Sequence, residues 1–116
     1  MSVIRIGIMP PAKMREMTIA IAKGEFKPKR NWPKIWFPSM KALSEVLSDR
    51  NRELLRVIAE QHPDSIKELA EIIGRKPNNV SRTLDTMQRY GLVEFKQVKR
   101  CRKPVVKGTE FLIQAS

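Results

Sequence analysis

The residues best suited to chemistry lie in one segment, and their chemistry is hydrogen bonding to an external partner. At helical spacing, Val80, Leu84 and Met87 form an apolar stripe. The opposite face carries Asn78, Asn79, Ser81, Arg82, Asp85, Thr86 and Arg89. Such a row of polar side chains would be unfavourable in a buried helix. In contact with DNA, however, Asn can pair bidentately with adenine and Arg with guanine. The segment therefore predicts a helix that reads base edges in duplex DNA.

The rest of the sequence carries no pattern of catalytic residues. It has one histidine, His62, and one cysteine, Cys101. Neither belongs to a nucleophile–base pair or a metal-binding spacing, and one cysteine cannot build a disulfide framework. Because Cys101 lies between two arginines, a redox-sensing thiol is the alternative to an incidental exposed cysteine. We expect no enzymatic activity, no cofactor and no metal.

A capping box and two glycines set the limits of the two helices that must position the polar row. Ser65 and Glu68 have the S-x-x-E spacing of a capping box, and Gly74 ends the helix that follows. A second helix is predicted over residues 77–90, with proline in its first turn and Gly91 after its end. Earlier in the chain, Ser39 and Ser48 are predicted as N-caps of two more helices.

Two helices joined by a short turn form a helix-turn-helix, in which the first helix packs across the second. The second helix then lies in the major groove with its N-terminal half against the bases. Arg75 and Lys76 occupy the turn and are expected to contact phosphates rather than bases.

A basic hairpin is predicted directly after the second helix. Residues 92–97 and 105–107 have strand character, and the intervening turn, residues 98–104, is rich in cations. The cations are Lys99, Arg100, Arg102 and Lys103. A hairpin tip of this kind, a wing, can rest on phosphates beside the groove. The alternative is a solvated tip with no partner.

The net charge of +11 is unevenly distributed along the chain. Residues 1–39 carry eight basic and two acidic residues, residues 40–74 carry five and seven, and residues 75–116 carry ten and three. Clustered basic charge supplies the sequence-independent part of DNA binding. No apolar run approaches the roughly 18 residues that span a bilayer. We therefore expect a cytoplasmic protein with no membrane association.

The N-terminal part, residues 1–38, is predicted to be a strand–helix arm ahead of a DNA-binding domain at residues 39–116. The arm has a strand at residues 3–9, a helix at residues 12–23 and an aromatic loop whose rings are expected to pack on the core. We expect the arm to mediate dimerisation, with Met14, Met17 and Ile21 on the contact face of its helix. The apolar residues 111–113 could pair with the first strand.

The segment SIKELAEIIGRKPNNVSRTLDTMQRYGLVE resembles the winged-helix core of MarR-like and ArsR-like transcriptional regulators. Their pattern is an ELA-type helix, a three-residue turn, a recognition helix with P-x-x-V-S-R-x-L, and a short segment ending in G-L-V. The run WFPSMKALSEVLSDRNRELLRVIAEQHP is more similar to a group of small prokaryotic DNA-binding regulators. Some of these look like the antitoxin or autoregulator half of a two-gene module.

This resemblance implies an α+β winged helix-turn-helix with an N-terminal strand–helix extension, which binds double-stranded DNA as a homodimer and acts as a repressor or autoregulator. The base-reading positions of the family fall on Asn78, Asn79, Ser81 and Arg82, and its basic wing positions fall on Lys99, Arg100, Arg102 and Lys103.

The chain departs from the family pattern in two places. Lys76 stands where the family has a Ser or Thr N-cap, and no long C-terminal helix follows the wing, so another surface has to form the dimer. Two alternatives to operator binding remain. One is an antitoxin that blocks a toxin partner through the N-terminal arm, and the other is an RNA-binding protein that uses the same basic surface.

Overall fold

The computed structural model describes residues 3–115 and shows a small fold of helices and strands, which confirms that the chain is α+β. Within that range the strands are β1 (Val3–Ile8), β2 (Ile35–Phe37), β3 (Val93–Val98), β4 (Cys101–Val106) and β5 (Glu110–Ala115). The helices are α1 (Pro11–Ala22), α2 (Met40–Val46), α3 (Asp49–Gln61), α4 (Ile66–Ile73) and α5 (Pro77–Tyr90). None of these helices is long and apolar enough to cross a membrane.

Three of the strands form a parallel sheet with β1 in its centre, in the order β2-β1-β5. Residues 111–113 therefore pair with the first strand, as predicted, and they do so within one chain. Ile4 lies opposite Phe111, and Ile6 lies opposite Ile113. Because its hydrogen-bonding edges are both occupied, β1 is the central strand of this sheet rather than a free extension.

The hydrophobic core joins the arm to the rest of the chain. Ile6 of β1 and Phe37 of β2 belong to the same buried cluster as Leu54 of α3 and Leu84 of α5. The ring of Phe37 stacks on Tyr90, at the end of α5, with 4.2 Å between ring centroids. The expected packing of the aromatic loop is thus confirmed for Phe37, and the C-terminal end of α5 is tied to the three-stranded sheet.

The helices begin where side-chain caps satisfy their free amides. The hydroxyl oxygens of Ser39, Ser48 and Ser65 accept hydrogen bonds from the amide three residues later, at 3.1, 3.2 and 3.0 Å. At the start of α4, the Glu68 carboxylate also accepts a hydrogen bond from the amide of Asp64, at 3.1 Å. All three predicted N-caps are confirmed, and the reciprocal bond of the capping box reaches one residue further back than usual.

The hairpin β3–β4 is tighter than the sequence indicated. Pairing continues as far as Val98 opposite Cys101, so only Lys99 and Arg100 form the turn. Lys99 adopts a left-handed backbone with φ 55°, which suits a two-residue hairpin turn. The predicted seven-residue loop at 98–104 is therefore wrong in its length. Pro104, which looked like the end of a loop, is accommodated because a two-stranded hairpin leaves each strand an unpaired edge.

None of the residues of α1 is buried, so this helix packs little against the rest of the protein. Met14 and Met17 are half-buried, while Ile21 on the same face is 39% exposed. Ile19, on the opposite face, is 49% exposed. The helix thus presents apolar side chains that the chain itself does not cover completely.

Candidate functional site

The polar row predicted from the sequence lies on the open side of α5. Its opposite stripe, Val80, Leu84 and Met87, is 0% exposed, and this fixes the rotation of the helix about its axis. Asn78, Asn79, Arg82, Asp85 and Arg89 are exposed, and Ser81 and Thr86 are half-buried at the edges of the face. Every predicted position on α5 is therefore accessible to a partner, at least in part.

Hydrogen bonds between successive turns hold several of these side chains along the helix. Arg82 Nη2 donates to Asn79 Oδ1 at 3.4 Å, and Arg89 Nη2 donates to Thr86 Oγ1 at 3.2 Å. Each bond uses one donor of a guanidinium that has five. The remaining donors of Arg82 and Arg89 are available to an external acceptor, so the face is partly pre-organised without being saturated.

The turn between α4 and α5 brings Arg75 and Lys76 beside the N-terminal half of α5. Gly74 allows the sharp change of direction because it has a left-handed backbone, with φ 70°. Lys76 is exposed, and its side chain does not cap the start of α5, as expected for a lysine in the N-cap position. A helix N-terminus without a cap leaves amide donors free for an anion.

Arg75 is unusual among the cations of this surface because much of its guanidinium is buried. Nη2 donates to Thr83 Oγ1 at 3.4 Å, while Nε and Nη1 have no hydrogen-bond partner among the described residues. Burial lowers the pKa of Arg75, and the charge of the nearby Arg50 lowers it further. Both effects act against the charged form, as expected for a cation that lacks its counter-ion.

Arg50, in the first turn of α3, is part of this surface and was not predicted. It lines one depression together with Arg75, Asn79, Arg82 and Thr83. Arg50 is far from the other four residues in sequence and lies in the region where acidic residues outnumber basic ones. No local pattern marks it, because only the packing of α3 beside the turn and α5 brings it to the site.

The four basic residues predicted for the wing divide into two pairs. Lys99 and Arg100 lie exposed at the turn, and neither forms a salt bridge to any residue that the structure describes. Arg102 and Lys103 lie on β4 instead, and both have internal partners. Their predicted position at the tip is therefore wrong, because the strand pairing extends past them.

The partners of these two residues connect the hairpin to the helices. Arg102 contacts Asp85 of α5 at 3.4 Å, and its guanidinium lies over the ring of Phe95 at 4.2 Å from the centroid. Lys103 Nζ lies 3.1 Å from Asp64 Oδ1, just before α4. The hairpin is thereby held beside α5, and its tip extends the cationic surface beyond the helix.

Comparison with known proteins identifies the family of the chain. No curated protein was found to match the sequence. A protein-family model described as HVO_A0114 matches residues 46–113, which include α3, α4, α5 and the hairpin. Since the match covers more than half of the 116 residues, the chain belongs to the HVO_A0114 family.

Proposed function

We propose that this protein is a winged helix-turn-helix regulator that binds double-stranded DNA in a sequence-specific manner as a homodimer. Helices α4 and α5 would form the helix-turn-helix, with α5 as the recognition helix and β3–β4 as the wing. The observation that carries the proposal is the orientation of α5, which buries Val80, Leu84 and Met87 completely and leaves an opposite face of amide and guanidinium groups open. The resemblance to MarR-like and ArsR-like regulators supports the same assignment.

The dimensions and chemistry of α5 suit the major groove. A B-DNA major groove is about 12 Å wide and admits an α-helix. The 14 residues of α5 give it a length of about 21 Å. Asn78, Asn79 and Arg82 lie in the N-terminal half, the part that approaches the bases in this class of motif. Their amides and guanidinium supply paired donors and acceptors of the kind that distinguish adenine and guanine.

The hairpin would contribute affinity rather than sequence preference. Lys99 and Arg100 are exposed and without salt-bridge partners in the part of the chain described, so they can neutralise phosphates without first breaking an internal ion pair. Phosphate contacts position a protein on DNA but do not read its sequence. The wing would therefore strengthen binding to all duplexes by similar amounts.

Dimerisation is proposed through the arm, with the Met14, Met17 and Ile21 face of α1 as the contact. An interface of this kind would cover apolar side chains that the chain leaves exposed. A two-fold dimer would place its two recognition helices in half-sites about 34–36 Å apart, one turn of the double helix. In this arrangement the operator sequence would be palindromic, and occupation of a promoter by the dimer would repress transcription.

The direct test is selection of bound fragments from a pool of random duplexes, followed by affinity measurements on the enriched sequence. We expect a palindromic consensus, and we expect Asn79→Ala to weaken binding to it by about 1–3 kcal/mol while reducing the preference over scrambled DNA. Lys13→Ala, which removes an exposed cation on α1, is the control and should preserve the preference. Failure to enrich any sequence, or equal affinity for RNA at matched salt, would reject sequence-specific recognition of DNA.

A second candidate function, an antitoxin that binds a partner protein through the arm, is favoured by the uncovered apolar face of α1. It is compatible with DNA binding by α5. The expected result is a complex of fixed stoichiometry between this chain and the product of an adjacent gene. Met17→Glu should disrupt that complex, whereas Arg100→Ala should not.

A further inference from the structure

We propose that the depression beside the N-terminal half of α5 is a binding site for a single phosphate group, held by Arg50, Arg75 and Arg82. The inference deepens the proposed function and rests on it, because the phosphate would belong to the backbone of the DNA that α5 binds. Free phosphate has the same chemistry, so binding of duplex and of inorganic phosphate has to be measured separately.

Three separate parts of the fold supply the site. Arg50 comes from α3, Arg75 from the turn before α5, and Arg82 from α5 itself, while Asn79 and Thr83 complete the lining. No carboxylate from residues 3–115 lines the depression. Its volume, about 280 Å³, has room for one phosphate group together with several waters.

The state of Arg75 indicates that an anion is the missing partner. Its Nε and Nη1 atoms are buried with no acceptor among the described residues, and the guanidinium donates to one described side chain, Thr83, at 3.4 Å. Buried polar groups in proteins almost always have a partner, which can be an ion. Since the guanidinium cannot lose its proton at ordinary pH, the partner has to be an acceptor, and a negative one is favoured.

The clustering of like charges points to the same conclusion. Arg50, Arg75 and Arg82 form no salt bridge to any residue in the range that the structure describes. Arginines placed together without an acid repel one another, and an anion between them adds attractions that can outweigh this repulsion. The planar fork of a guanidinium also matches phosphate oxygens bidentately, which a lysine cannot do.

The position of the site explains how it would serve the recognition helix. Asn79 and Arg82 belong both to the depression and to the exposed face of α5, so a bound phosphate would lie at the rim of that face. A contact there would fix the depth and register of α5 in the groove. Arg82 would then contribute to the phosphate site as well as to the face that reads bases, together with Asn78 and Asn79.

The test uses the full chain and two arginines of α3 that face different directions. Arg50→Ala removes a lining residue, and Arg52→Ala removes an equal charge two positions along the helix, outside the depression. For each variant, binding to a short duplex is measured over a range of salt concentrations. In parallel, inorganic phosphate is titrated while the ¹H–¹⁵N signals of the Arg75 side chain and the Thr83 amide are followed. Circular dichroism establishes that both variants are folded.

We expect Arg50→Ala to weaken all duplexes alike, to lower the salt slope by about one, and to abolish the phosphate-induced shifts. Arg52→Ala should retain the shifts. If phosphate shifts these signals in the wild type but no duplex binds, the site stands as one for free phosphate and the proposed function fails. If duplex binds and Arg50→Ala behaves as Arg52→Ala in both measurements, the phosphate site is rejected and the proposed function stands.

Discussion

Both terminal nitrogens of Arg102 lie 3.4 Å from one carboxylate oxygen of Asp85, so an ion pair joins the hairpin to the exposed face of α5. The pair has opposing effects on DNA binding. The ion pair holds the hairpin beside the helix. It also occupies the guanidinium of Arg102, and the carboxylate of Asp85 places a negative charge where phosphates and base edges would approach. Asp85 is therefore expected to limit affinity for DNA rather than to provide it.

Replacing Asp85 with Asn tests this relationship. The change removes the negative charge and releases Arg102, whose side chain is 44% exposed and can then reach a phosphate. We expect tighter binding to every duplex and a salt slope that is larger by about one. Stability should change by less than about 1 kcal/mol, because exposed ion pairs contribute little. Fluorescence anisotropy at several salt concentrations and urea denaturation measure the two effects.

Glu53→Gln is the matched control for this experiment. It removes one carboxylate from an exposed ion pair, with Arg56, on α3, and so changes the net charge by the same amount. Its effect on affinity should be small, since neither Glu53 nor Arg56 lines the depression beside α5 or belongs to α5 or the hairpin. Equal gains in the two variants would mean that overall charge, rather than the position of Asp85, sets the affinity.

The division of the hairpin cations gives a second prediction. Arg100→Ala should weaken binding to all sequences and reduce the salt slope by about one, because the tip residue has no salt-bridge partner in the described structure. Lys103→Ala should have less effect, since its Nζ already lies 3.1 Å from Asp64. Anisotropy titrations of both variants on specific and scrambled duplexes provide the comparison. A larger loss for Lys103→Ala would show that β4, rather than the turn, contacts the backbone.

Gly7 and Trp36 provide a prediction about stability. They are paired across β1 and β2, and a Cβ atom at Gly7 would overlap the indole ring of Trp36. Gly7→Ala should therefore destabilise the fold by about 1–3 kcal/mol, as overpacking does elsewhere. In Gly7→Ala/Trp36→Ala the added methyl group has space, so the double variant should lose less than the sum of the two single losses. Additive losses in urea denaturation would contradict a direct clash.

Local signals in the sequence account for much of the fold. The serine caps, Gly74, and the stripe of Val80, Leu84 and Met87 were predictable because each depends on residues within one or two helical turns. The outward orientation of Asn78 follows directly from that stripe. Each of these features was found in the structure where the sequence placed it.

Features that depend on distant contacts could not be predicted in the same way. The strand at the start of the chain was recognised, but its central place in the sheet depends on pairing with both β2 and β5. Arg50 reaches the candidate site only through the packing of α3. The length of the hairpin turn was misjudged because the charges of Arg102 and Lys103 concealed the alternation of a strand.

The place of β1 in the core determines how dimerisation through the arm can be tested. Deleting residues 1–30 would remove β1 and with it Ile6, which is 0% exposed in the core. Such a deletion would unfold the chain whether or not it dimerises. A single substitution on the surface of α1 avoids the problem, because no residue of that helix is buried.

Met17→Glu places a charge in the centre of the proposed contact face, and Ile19→Glu places the same charge on the opposite face of the same helix. We expect Met17→Glu to be a folded monomer and Ile19→Glu to remain a dimer, as measured by sedimentation equilibrium. The monomer should bind a palindromic operator more weakly, because it loses simultaneous occupation of two half-sites. A dimer that survives Met17→Glu would show that α1 does not form the interface, and the exposed edge of β5 would then be the surface to examine.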